Sequence, residues 1–187
     1  MINQILVTHA HIDHFGGVYD TIKLLENKNK ATESLGVYKM LTDNQYERTV
    51  FERYPELRER VCNIEDNQMF EVEEGLSIQA LHTPGHIDDH MSFLLREQKT
   101  LVTGDIILGS PSTAIVDLDA YIRSLGRVQQ LADLEWPLLP HSIGLDKPDL
   151  IMVPAREKIA QYVNYRVSRL NELLDCFCQQ GEAASEG

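Results

Sequence analysis

Residues 8–14 read Thr-His-Ala-His-Ile-Asp-His, and this cluster constrains the chain more than any other feature. Given the chain's own histidine and aspartate frequencies, a chance H-x-H-x-D-H has odds on the order of one in a thousand. In an extended segment His9, His11 and Asp13 share one side, so two imidazoles can bind one ion while the carboxylate leans toward a second. His14, at the turn that follows, is placed to reach that second ion. Imidazole and carboxylate donors together favour zinc and leave manganese or iron open.

The flanking pattern predicts where this cluster sits. Residues 2–7 read as a short buried strand, and Gly16-Gly17 turns the backbone into a helix carrying Val18, Ile22, Leu24 and Leu25. The histidine run therefore lies between a strand end and a helix start, a place that commonly carries chemistry. A second strand is expected over 36–40. Residues 43–61 read as a charged helix in which Arg48, Arg53, Arg58 and Arg60 alternate with Glu47, Glu52, Glu56 and Glu59 as a solvated face. Period-two patterning over 69–72 and 76–81 around Glu74-Gly75 predicts a hairpin, with further strands at 91–95 and 100–103. Asp117 is set to cap a helix bearing Leu118, Tyr121, Leu125, Val128 and Leu131. A last strand at 136–139 and a long helix from Pro154 complete an α/β layered domain over 1–180, with a frayed tail at 181–187.

Other turn-adjacent residues can complete a two-ion site. His86 lies in Thr83-Pro84-Gly85-His86, Asp105 follows an apolar strand in Val102-Thr103-Gly104-Asp105, and His141 follows Leu139-Pro140. His82, four residues before His86, is expected to pack or hydrogen-bond locally on its strand. His90 with Asp88 and Asp89 is open to two readings, support of the ligand imidazoles or simple capping of the loop. Gly109 to Thr113 is open to two readings, a loop that faces substrate or supports the ligands through Ser110, Ser112 and Thr113, or an ordinary turn.

Composition narrows the partners. With 17 basic and 29 acidic residues the net charge is −12, which argues against a broad electrostatic grip on nucleic acid. Bound divalent ions would still offer positive charge to a phosphate at the bottom of a cleft. No apolar run is long enough to span a membrane. Three cysteines fit a reducing compartment better than a disulfide framework, and Cys176-x-Cys178 is read as structural or incidental.

THAHIDH, LHTPGHIDDH, VTGDIILG and LPHSIG occur in the order found in the metallo-β-lactamase superfamily, which this chain resembles over roughly residues 2–175. HIDDHMSFLL, GDIILGSPST and the DLDAYIRSL and KIAQYVNYRVSR helices resemble its beta-lactamase-like protein 2 branch of single-stranded RNA endonucleases. Fungal polyketide thioesterases are similar over the same segments. The resemblance implies an αββα sandwich with His9, His11 and His86 on a first metal, Asp13, His14 and His141 on a second, and Asp105 bridging. It implies a catalytic water between two zinc ions, with Asp13 also orienting it, and no nucleophilic serine or cysteine.

Two departures qualify the expectation. Family members carry several strands before the histidine motif, so the first sheet is expected to lack its N-terminal strands and the piece to be poorly stable alone. The last ligand is usually set in Pro-Gly-His-Gly, whereas this chain reads Pro140-His141-Ser142-Ile143-Gly144. The leading functional expectation is a dizinc endoribonuclease, with a thioesterase acting on acyl-CoA, acyl-carrier or glutathione thioesters as its alternative. A non-catalytic relic is the third. An intracellular address, mitochondrial matrix or cytoplasm, is expected, with no membrane partner and the oligomeric state, dimer included, left open.

Overall fold

The computed structural model describes residues 2–28, 35–109, 113–131, 133–141 and 154–185, with side chains to residue 177. Three short strands, β1 (Gln4–Leu6), β2 (Gly36–Lys39) and β3 (Val61–Asn63), form a parallel sheet in the order β1-β2-β3. Parallel pairing requires crossovers. Between these strands run a single turn, α1 (Ile12–Phe15), and two longer helices, α2 (Val18–Asn27) and α3 (Gln45–Arg53).

Five strands make the second sheet: β4 (Met69–Glu73), β5 (Leu76–His82), β6 (Met91–Leu95), β7 (Thr100–Val102) and β8 (Trp136–Leu138). Their order is β4-β5-β6-β7-β8, antiparallel as far as β7, with β8 parallel to β7. The β4–β5 hairpin turns through Gly75 at φ +78°, a conformation open to glycine at little cost. The crossover from β7 to β8 is α4 (Leu118–Gln129), whose cap Asp117 accepts from the Ala120 amide at 2.9 Å. The long α5 (Ala155–Ser185) follows.

Burial sorts into three slabs. Val18, Ile22, Val50 and Phe51 of α2 and α3 pack on Val7, Val37 and Val61 of the first sheet. Phe70, Ala80, Met91 and Phe93 lie with Leu6 and Tyr38 between the sheets. Leu81 and Leu101 carry Tyr121, Leu125 and Val128 of α4 and Ile159 of α5. The layers are thus α, β, β, α, and each fully buried aliphatic side chain contributes about 1.5–3 kcal/mol. Ala80 and Leu81 face opposite slabs, as the period of a strand requires.

Parts of the first layer depart from the sequence expectation. Residues 61–63 form β3 rather than the end of a helix, because Val61 pairs with Val37 and closes the first core. Glu47 is not on a solvated face: it is buried and accepts from Lys39 Nζ at 2.6 Å. The arginines named with it find other partners, Arg48 on Asp43 and Arg60 on Glu26. Among the described residues no helix is long and apolar enough to cross a membrane.

Candidate metal centre

Four loops meet at one edge, following the C-terminal ends of β1, β5, β7 and β8. His9 and His11 leave β1 in extended backbone, with His11 at φ −60° and ψ 148°, and the chain then tightens into α1. Asp13 is therefore helical, which corrects the expectation of an extended run. It reaches the site from the first turn of α1, next to His14.

The donor atoms fall into two groups. His9, His11, His86 and Asp105 form one; Asp13, His14 and His141 form the other. In the first, His11 Nδ1 lies 3.0 Å from both His9 Nε2 and His86 Nε2. Asp105 Oδ2 lies 3.6 Å from His86 Nε2 and 4.0 Å from His9 Nε2. In the second, His14 Nε2 is 3.3 Å from His141 Nε2, and Asp13 Oδ2 is 3.6 and 3.4 Å from these two atoms. Asp105 Oδ1 faces this second group, at 3.2 Å from His14 and 3.4 Å from His141. One carboxylate thus offers a separate oxygen to each group.

The hydrogen bonds behind these atoms fit a metal. His9 Nδ1 and His14 Nδ1 both reach Thr8 Oγ1, at 3.1 and 3.2 Å, and a hydroxyl oxygen can accept from two ring N–H groups. His86 Nδ1 donates toward the Ala114 carbonyl at 2.8 Å and Thr113 Oγ1 at 3.0 Å. With the protons on Nδ1, the Nε2 lone pairs of all three rings point into the site. Asp105 Oδ1 is buried and receives no hydrogen bond. Tetrahedral donors bound at about 2.0–2.1 Å stand about 3.3 Å apart, close to the spacings found.

Electrostatics agree. Burial, and then the surrounding imidazoles of His90, His14, His11 and His86, hold His9 far below the ordinary histidine range and so neutral. Burial and the neighbouring His86 also lower His11. At His14 burial works against charge, but the Asp105 and Asp13 carboxylates outweigh it and raise its pKa. Burial would raise Asp105, yet His14, His141 and His86 pull it below its usual value.

Several neighbouring residues have other work. His82 bonds locally, Nε2 to the Asp88 carbonyl at 2.8 Å, as expected for a strand residue. Asp88 and Asp89 orient no ligand imidazole: Asp88 Oδ1 accepts from Asn44 at 2.8 Å, and buried Asp89 meets Lys39 Nζ at 2.5 Å. They tie the His86 loop to β2 and α3. His90 is buried behind His9 with Nδ1 on Thr83 Oγ1 at 2.8 Å, and burial and His86 lower its pKa to about 3. A side chain on Gly104, at φ +54°, would strike its ring. Thr113 is buried against His86, whose ring nitrogen it meets at 3.0 Å, while Ser110 and Ser112 lie outside the described residues. Cys62 and Cys176 are free and exposed. Thr8 escaped the sequence reading, although its place beside His9 could have drawn notice. A cleft of about 420 Å3 adjoins the site, lined by His11, Ile12, Asp13, Tyr46, Val50 and Arg53 among others.

Two stacked sheets between helices, with histidine and aspartate loops gathered at one edge, define a class of metal-binding α/β domain. Residues 1–143 match the Metallo-beta-lactamase superfamily, and the chain belongs to it. It is 30% identical over 173 residues to the atrochrysone carboxyl ACP thioesterase of Aspergillus fumigatus, an alignment covering 92% of this chain and 46% of that protein. Lactamase-like protein adaB of Aspergillus niger is 36% identical over 173 residues, covering 92% of this chain and 45% of its own length. The chain therefore spans about half the length of these curated relatives. Among solved structures, a beta-lactamase domain protein of Burkholderia ambifaria superposes with a TM-score of 0.71 at 19% identity, covering 91% of this chain and 57% of that one. TTHA1623, solved in a di-iron-bound form, gives a TM-score of 0.50 at 26% identity, with 69% and 64% covered.

Proposed function

We propose that this chain carries the metal-binding centre of a hydrolase that cleaves thioesters at a two-ion site. The observation that carries the reading is the Asp105 carboxylate, with one oxygen toward each donor group. His9, His11 and His86 would hold one ion, Asp13, His14 and His141 the other, and Asp105 would be shared. Zinc suits the donor set, and iron remains compatible with it. Divalent ions there would supply an acidified water and polarise a carbonyl. The Ala114 carbonyl, which can only accept, sets the His86 tautomer, Thr8 and Thr113 hold the rings of His9 and His86, and burial keeps His9 neutral. Asp13, with its side chain 54% exposed, lies at the open side, where a carboxylate oxygen can accept a hydrogen bond from water and orient it. The apolar cleft beside it offers room for an acyl group.

Thioesters are favoured over RNA because the relative most informative about chemistry is named a thioesterase that acts on an acyl-carrier protein. The RNA preference expected from the sequence has no counterpart among the relatives described above, and the net charge of −12 weighs against it. The test offers acyl-CoA and acyl-carrier thioesters in parallel with a labelled single-stranded RNA. Thiol release that EDTA abolishes, with the RNA intact, is expected. Cleavage of RNA without thiol release would reverse the reading.

A further inference from the structure

The segment at residues 113–117 has no regular secondary structure, yet it supplies both acceptors for His86 Nδ1. Its far end is anchored, since the Val116 and Asp117 amides donate to the Gly85 carbonyl at 2.8 and 3.0 Å. Its near end is held from α5. The Thr113 amide donates to Tyr162 Oη at 3.0 Å, and the Thr113 carbonyl accepts from Arg166 Nη2 at 2.8 Å. Residues 162 and 166 stand on one helix face, one turn apart, and between them occupy both backbone groups of Thr113. Arg166 lies among the rings of Tyr121, Tyr162 and Tyr165, at 5.6, 5.4 and 6.0 Å. Its Nε is buried without a hydrogen-bond partner. Keeping a guanidinium there costs free energy that surface placement would avoid. Tyr121, in contact with the same guanidinium, donates to the Ile106 carbonyl at 2.7 Å, next to Asp105.

We propose that Arg166 and Tyr162 are positioning residues for the first donor group, acting through Thr113 to set the orientation of His86. The proposal rests on reading His86 as a metal ligand. It also gives a role to the KIAQYVNYRVSR helix, which the metal motifs leave unexplained. An imidazole whose Nδ1–H is fixed presents Nε2 at one angle, and losing such a partner typically lowers metal affinity about 10–100-fold.

The test compares Arg166→Met, its conservative counterpart Arg166→Lys, the near-isosteric Thr113→Val, and the Arg166→Met/Thr113→Val double variant. Zinc affinity is read by chelator competition and ligand geometry by the visible spectrum of the cobalt-loaded protein, alongside melting of the metal-free forms. Arg166→Met and Thr113→Val should each weaken one metal about tenfold or more and alter the cobalt spectrum. The double variant should be little worse than either single one, and Arg166→Lys should recover part of the loss. Thr113→Val carries the test if Arg166→Met folds poorly. Unchanged affinity and spectrum, with any loss confined to melting, would overturn the positioning role and leave the ligand reading standing. A wild-type chain that binds no metal would overturn both.

Discussion

The two donor groups share Asp105 but are built to different standards. In the first, His9, His86 and Asp105 are buried, and Thr8, Thr113 and Ala114 take the outward ring nitrogens of the two histidines. In the second, the side chains of Asp13 and His141 are 54% and 39% exposed. His141 adopts φ +52° without glycine's freedom, which costs about 1–2 kcal/mol. A buried group in which His9 is held uncharged thus stands beside a more open one. On the proposed reading, substrate would enter from the exposed side of the second group, and the buried first group would serve as the fixed reference.

The comparison breaks most severely at Asp105. Asp105→Ala is expected to release both ions and lower thiol release by more than about 100-fold, beyond what an outer partner costs; elemental analysis and a thiol assay check it. Loss of one ion alone would mean that the carboxylate is not shared. Next is the ion cluster beneath the His86 loop, where Lys39 Nζ sits at 2.6 Å from Glu47 and 2.5 Å from Asp89, all three buried. Lys39→Met leaves two buried carboxylates unpaired and is expected to cost about 3–5 kcal/mol in urea melts.

A pH titration of metal content sharpens the comparison with a smaller effect. Metal must displace any proton on its imidazole ligands. The raised pKa of His14 means that protons compete at the second group from a higher pH, whereas the lowered pKa of His9 and His11 delays competition at the first. As pH falls, one ion should leave before the other, and simultaneous loss would erase the distinction. The smallest effect is expected at the helix cap. Asp117→Ala should destabilise the fold by about 1 kcal/mol in thermal melts, with metal content unchanged.

What the sequence revealed follows the range of the interactions. His9 and His11 were legible because their spacing is local, and His86, Asp105 and His141 because each follows a strand signal and a turn. The extended placement of Asp13 failed because α1 begins at Ile12, where four residues of helix carry no amphipathic signal of their own. Lys39, Glu47 and Asp89 were opaque for a different reason. Glu47 reads as a surface charge and Asp89 as a residue of the His86 loop, and only the stacking of β2, α3 and that loop brings them to Lys39 away from water. How Thr113 is held was not legible from its loop, since its partners Tyr162 and Arg166 lie about fifty residues along the chain.

The account is tested most directly by anomalous diffraction at the zinc edge from crystals of the zinc-loaded protein. It predicts two peaks about 3.5–4 Å apart, one among His9, His11 and His86 and the other among Asp13, His14 and His141, with Asp105 reaching both. A single peak, or zinc bound away from these residues, would contradict it.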